Sequence, residues 1–270
     1  MLRKKILLNI LVNSIGKFLA FFFQFVIITY LIRNIGKEAY GIVVLALALV
    51  GNTNLLEAGF GLSVTKYVAE YNAKGDRRKL LEVINTNLVV SIVLALIFSC
   101  VLLVINEFFL EKIFTLPIAY LPEARDLIRI LIALSIIEFL HVSIVRVTEG
   151  FQRYTLARSV ELMKWALRAL FVILAVNGGY GLPGIGIAYL LAGSISLVII
   201  YFLVFVKGPK LKLSLGLCNK ESFKLLFGFS FLTKYLRSKV VLFSASSNNS
   251  PRLFFDFVSN KAISFFAVGR

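Results

Sequence analysis

The chain has 270 residues, 59% of them hydrophobic, with 25 phenylalanines and a mean hydropathy of +0.88. Soluble domains sit near half apolar, so this composition excludes an ordinary soluble domain and points to a polytopic membrane protein. Thirty lysines and arginines stand against 14 acids, for a formal net charge of +16. The basic residues cluster in short stretches between apolar runs, the pattern of loops beside anionic membrane lipid, so no nucleic-acid partner is expected.

A spanning helix needs about 20 mainly apolar residues. The first run, 9–32, follows the basic start MLRKK and lacks a small-x-small cleavage site, so it reads as an uncleaved first helix. At about 100° per residue, Asn9, Asn13, Lys17 and Gln24 fall on one stripe of it, and the opposite face is Phe and Ile. Two readings of Lys17 stand: one wall of a water-filled groove shared with Asn13 and Gln24, or a side chain snorkelling to the headgroups. The second helix, 40–60, ends in "NTNLLEAGFG" and places Asn52, Asn54 and Glu57 at its end. Glu57 either neutralises a basic residue across a groove or lies at the interface.

The third helix is 86–106 and the fourth 127–148. The fourth carries Glu138, His141 and Glu149 on one side, with Arg129 and Arg146 on others. Glu138 lies one turn before the single histidine, which suits either a proton relay or plain hydrogen-bonded helix packing. These ligands are too few for a metal, and no cofactor is expected. The fifth helix, 162–180, follows a connection holding Arg153 and Arg158. It begins with Glu161, Lys164 and Arg168 on one face, with Trp165 beside them as a candidate interfacial anchor. Lys164 could snorkel, and Arg168, which is deeper, is harder to explain that way. The sixth helix is 184–206, and a seventh, weaker one covers 223–247, where Ser230, Lys234 and Arg237 share a face.

Basic residues precede helix one, lie between helices two and three (Lys66, Lys74, Arg77, Arg78, Lys79), and follow helices four and six. The alternate connections are acidic, uncharged or only mildly basic. By the positive-inside rule the N-terminus is cytoplasmic. Strand periodicity is absent, and so are the alternating segments of a transmembrane barrel. Cys100 and Cys218 lack metal-ligand spacing and read as plain thiols. With three aspartates, no phosphate loop and no serine elbow, the chain does not read as an enzyme.

Five stretches, in order, resemble one family: "NSIGK" (13–17), "LIRNIGKEAYGIVVL" (31–45), "EAGFGLSVTKYVAEYNAKGDRRK" (57–79), "TEGFQRY" (148–154) and "NGGYGLPGIGIAYLLAG" (177–193). Together they resemble the polysaccharide and O-antigen flippases, the Wzx-type branch of the multidrug/oligosaccharidyl-lipid/polysaccharide exporter superfamily. The resemblance implies an all-α transporter of two helical lobes around a cavity that opens alternately to each side. The cargo it implies is a polyprenyl-diphosphate-linked oligosaccharide, moved across the cytoplasmic membrane for polysaccharide or lipopolysaccharide biosynthesis. A polysaccharide polymerase or glycosyltransferases would be further partners. Residues 1–215 then form a six-helix N-terminal lobe, and 216–270 the start of a truncated second lobe.

Lysines and arginines in the lumen suit an anionic diphosphate. Asn13, Lys17, Gln24, Arg146 and Arg168 are the candidate cavity residues, and Glu57, Glu138 and His141 the candidates for charge coupling. No fixed family motif assigns these roles. Two alternatives stand beside the flippase. One is a drug/cation antiporter of the same superfamily, which would favour lumenal acids. The other is a non-transporting scaffold or degenerate fragment.

Overall fold

A computed structural model describes residues 2–51, 53–110, 117–206 and 221–228, with the backbone alone for 2–15, 17, 53–59 and 118. Helices α1 (Leu2–Val50), α2 (Thr53–Lys74), α3 (Arg77–Val104), α4 (Leu121–Gly150), α5 (Tyr154–Asn177) and α6 (Gly181–Tyr201) follow one another. A short helix α7 occupies 221–228. No strand occurs among the described residues. Helices α3 and α6 each end in one π-helical stretch, Ile105–Phe109 and Phe202–Val206.

Glycine sets the breaks. α1 is two helical segments joined at Gly36, whose φ of 84° and ψ of 168° suit glycine alone. That kink falls in the predicted connection "RNIGKE". The predicted second helix, 40–60, is instead interrupted after Val50, and the chain resumes as α2 at Thr53. The basic stretch Lys66–Lys79, expected as a loop, shortens to Gly75 and Asp76. Gly75 takes φ 69° while Asp76 N–H donates to the Tyr71 carbonyl (3.1 Å) and Gly75 N–H to Asn72 (3.3 Å), closing α2 with a Schellman motif. The Asp76 carboxylate then accepts from Lys79 N–H (3.1 Å) and caps α3. Helices α4 and α5 close in the same way, through Gln152 (φ 58°) and Gly179 (φ 70°). Because α5 therefore starts at Tyr154, Arg158 lies inside a helix rather than in the predicted connection.

Among the described residues, four stretches are long and apolar enough to cross a membrane: Phe18–Val50, Arg77–Phe109, Leu121–Gly150 and Gly181–Phe205. α2 falls outside that group, and so does α5, which contains most of the predicted fifth helix, 162–180. α5 carries Arg158, Glu161, Lys164 and Arg168, and it accommodates them by turning them toward α4 and α6. The apolar residues facing away from the bundle, such as Phe18, Phe21 and Phe25 on α1 or Leu96 and Ile97 on α3, are exposed as a lipid-facing surface requires. The predicted seventh helix is helical over 221–228, and its remainder, with Lys234 and Arg237, lies outside the described residues. So does Cys218, while Cys100 is a free, exposed thiol.

The described residues form two apolar clusters. One joins Leu31, Val43, Leu127, Leu131, Val172 and Ile185, and the other Val64, Val68, Ile84, Val147, Val160 and Ile200. Along α4 the first cluster ends at Leu134 and the second begins at Ile144; along α5 they are parted between Val160 and Ala169, and along α6 between Tyr189 and Ile200. Glu138 and His141 of α4, Lys164 and Arg168 of α5 and Ser196 of α6 fall in that gap. Small residues let the helices approach: a Cβ on Gly193 of α6 would stand 2.8 Å from Leu134 Cδ1, and one on Gly150 of α4 only 2.6 Å from Val68 of α2. Buried hydrogen bonds join α3 to α4, Asn87 Nδ2 to Ser143 Oγ (2.6 Å) and Ser99 to Ser135 (3.1 Å).

Candidate functional site

In the gap between the two clusters, α5 presents Lys164 and Arg168 one turn apart, and α4 presents Glu138 and His141 one turn apart. Glu138 accepts from Lys164 Nζ at 2.9 Å and from Arg168 Nη2 through its other oxygen. Lys164 and Arg168 are only 7% and 8% exposed, so neither snorkels to an interface. Charges buried this far persist only when paired and hydrogen-bonded. One carboxylate with two oxygens can serve two cations, and here it does.

Lys164 Nζ also stands 3.4 Å from His141 Nδ1, and Ser196 Oγ of α6 is 2.9 Å from His141 Nε2. Lysine can only donate, so this arrangement makes Nδ1 the acceptor and has Nε2–H donate to Ser196. The guanidinium of Arg168 lies 5.0 Å from the ring centres of both Trp165 and Tyr189. Such stacking suits the weakly hydrated, planar guanidinium better than a lysine ammonium. Trp165 is therefore a partner of the buried charge, not the interfacial anchor expected.

A second group of charges adjoins the first. Arg146 Nη1 donates to Glu149 (2.9 Å), Arg158 lies 3.7 Å from the same carboxylate, and Arg158 also donates to Glu161. Gly61 of α2 leaves room for Arg146, since a Cβ there would meet Nε at 2.7 Å. Both groups line one cavity of about 300 Å³, together with Leu134, Trp165 and Tyr189. Four cations (Arg146, Arg158, Lys164, Arg168) face three carboxylates (Glu138, Glu149, Glu161), an excess of one positive charge with His141 neutral. The Nε atoms of Arg146, Arg158 and Arg168 are buried without a hydrogen-bond partner, so each arginine retains a donor.

A second groove, of about 290 Å³, adjoins it between α1 and α5, and shares Arg158, Glu161 and Trp165 with the first. Its α1 wall is Gly16, Ala20, Phe21 and Gln24.

The structure thus brings Arg146, Arg168, Glu138 and His141 around one cavity. The sequence places Arg146 on a different side of its helix from Glu138 and Glu149, but the inward-facing sector of α4 is wide enough to hold all three. Gln24 lines the neighbouring groove and is exposed. The side chains of Asn13, Lys17 and Glu57 lie outside the described residues. Arg158, Tyr189 and Ser196 join the site without having been candidates for it. For Arg158 the available signal is helix phase, because 158, 161, 165 and 168 share a face once the helix begins at 154. Tyr189 and Ser196 carry no signal in a uniformly apolar run. Among the described residues no group of His, Cys, Asp and Glu could hold a metal ion.

The family model described as "Polysaccharide biosynthesis protein" matches residues 6–254. No curated protein sequence matches the chain. Among solved structures, a MOP superfamily transporter from Pyrococcus furiosus, whose binding pocket of reverse polarity is said to suggest a different function, aligns with a TM-score of 0.72 at 18% identity. The alignment covers 89% of this chain and 54% of that one. A MATE crystal structure in complex with MaD3S gives 0.72 and 18%, with 89% and 55% covered. An outward-facing multidrug resistance MATE family transporter gives 0.68 and 17%, with 87% and 54% covered. The chain spans about half the length of these solved chains. It is a multi-pass, all-α membrane protein with the fold of one lobe of a MOP superfamily transporter, and it belongs to the polysaccharide biosynthesis protein family.

Proposed function

We propose that the chain forms one lobe of a transporter in the cytoplasmic membrane that moves polyprenyl-diphosphate-linked oligosaccharides between leaflets for polysaccharide biosynthesis. On this reading residues 1–215 make one lobe, 216–270 begin the next, and the two rock about a central site. The observation that carries it is the cationic excess of the buried cavity. Arg146, Arg158 and Arg168 each keep an Nε donor without a protein partner, and an anionic diphosphate is the cargo chemistry that uses such donors. Family membership supports the polysaccharide context.

The alternative reading is a drug or cation antiporter, and the MATE folds of its structural neighbours favour it. An organic cation would need a carboxylate free to meet it. Each of the three cavity carboxylates already pairs with lysine or arginine, which favours the anionic cargo.

The test is export in cells whose only copy of the full-length protein carries Lys17→Ala, Arg158→Gln or Arg168→Gln. Surface polysaccharide is expected to fall and lipid-linked intermediates to accumulate, at unchanged protein level in the membrane. Normal export in all three variants would overturn the cationic-cavity reading. Raised drug susceptibility on deletion, with polysaccharide intact, would favour the antiporter.

A further inference from the structure

The groove between α1 and α5 interrupts the phenylalanine-rich surface of the first half of α1. From Phe18 to Phe25 that helix is mostly phenylalanine and leucine turned outward, with Phe18 71% and Phe21 68% exposed. Against α5, however, it presents Gly16, Ala20 and Gln24, spaced four residues apart on one stripe. Gly16 touches α5 closely, since a Cβ there would lie 3.9 Å from both Arg158 Cβ and Leu162. Beyond it the two helices part around some 290 Å³ of empty space. That space is lined by the exposed Phe21 and by Arg158, Glu161 and Trp165, the three residues it shares with the charged cavity.

We propose that this groove is a binding slot for a single hydrocarbon chain of a phosphorylated membrane lipid. The chain lies between α1 and α5, and the phosphate meets Arg158 at the junction with the charged cavity. Three features fit that occupant. Gly16, Ala20, Phe21, Leu162 and Trp165 give the slot a largely small and apolar wall, as a chain needs. Phe21 and Gln24 of its α1 wall are exposed on the lipid-facing side of that helix, where membrane lipid is at hand. At its inner end stands Arg158, whose Nη1 donates to Glu161 while its Nε is buried without a partner, and arginine is the residue best matched to phosphate oxygens. The slot thereby makes the lipid portion of the cargo, and not only its head, a determinant of recognition within this lobe.

The proposal rests on the transport reading for the cargo's chemistry, but its test does not depend on transport. The full-length protein in phosphatidylcholine nanodiscs is photolabelled with a 15-carbon isoprenoid diphosphate bearing a terminal diazirine, and adducts are mapped by mass spectrometry. Label is expected to concentrate on residues 16–24 and 158–165. Ala20→Trp, which fills the slot, and Arg158→Gln, which removes the phosphate contact, should each lower it at least fivefold. Ile187→Trp, on the lipid-facing side of α6, should leave it unchanged. Should Ala20→Trp fail to fold, Gly16→Ala adds one methyl at ordinary contact distance and should still lower labelling at least twofold.

The isoprenoid alcohol with the same diazirine should not label the slot, and inorganic diphosphate should compete at least tenfold less well than unlabelled lipid. Label spread evenly over α3 and α6, equal labelling by the alcohol, or equal competition by inorganic diphosphate would each overturn the slot. A protein that labels as expected but supports no export would count against the transport reading alone. Normal export without slot labelling would count against the slot alone.

Discussion

Glu138 and Lys164 sit on different helices, 26 residues apart, and meet at 2.9 Å in the interior of the bundle, where Arg168 takes the second oxygen of the same carboxylate. One acid therefore holds two cations of α5 against α4. Glu138→Gln leaves both cations buried without a counter-charge. Breaking a buried pair from one side costs about 3–5 kcal/mol, so a markedly lower unfolding temperature is expected for the purified protein. Glu138→Gln with Lys164→Met removes one of the two orphaned charges and should recover part of the loss. If the double variant is less stable than the single one, Lys164 is not held by Glu138.

Trp165 is the only tryptophan in the chain, so its fluorescence reports the site directly. Arg168 lies 5.0 Å from that ring and the same distance from Tyr189. Arg168→Lys keeps the charge but loses the planar face, and each cation–π contact contributes about 0.5–2 kcal/mol. A shift in Trp165 emission together with a lowered unfolding temperature is expected. An unchanged spectrum would mean that the guanidinium does not lie against the indole.

Helix approach sets the third expectation. Gly150→Ala would place a Cβ 2.6 Å from Val68 and 3.1 Å from the Thr65 carbonyl, forcing α4 away from α2, and Gly193→Leu would push α6 from Leu134. Overpacking of this kind costs about 1–3 kcal/mol. Gly41→Ala, also helical but with nothing within 4 Å of the added methyl, should be neutral or stabilising by up to about 1 kcal/mol. Thermal unfolding of the three variants separates close packing from a general intolerance of substitution.

The buried Asn87–Ser143 hydrogen bond (2.6 Å) joins α3 to α4. Interhelical hydrogen bonds in membrane proteins average about 0.6 kcal/mol in double-mutant cycles. A cycle of Asn87→Ala and Ser143→Ala should return a coupling of that order. A coupling of zero would show that the pair is not formed.

Particular residues make much of this molecule legible in its sequence. Apolar runs of spanning length mark all-α membrane helices, "RNIGKE" marks the turn that Gly36 makes, and Glu138, His141 and Arg168 stand out as polar residues at membrane depth. Other features are misplaced for identifiable physical reasons. Hydropathy marks where a helix is apolar rather than where it begins, so the polar starts of α3 and α5 look like loop, and Arg158 with them. Lys164 and Trp165 look interfacial because a sequence shows a charge and an aromatic ring without showing the acid and the arginine that draw them inward.

Composition alone is enough to settle the class of the molecule. A bilayer holds no water to satisfy backbone polar groups, so long apolar runs without strand periodicity must fold as helices. Which charges face one another is a matter of how the helices pack. Helical phase places a residue on a face, but its partner lies on another helix. The approach of α4, α5 and α6, set by glycine contacts and the two apolar clusters, turns scattered lysines, arginines and glutamates into one paired, faintly cationic cavity.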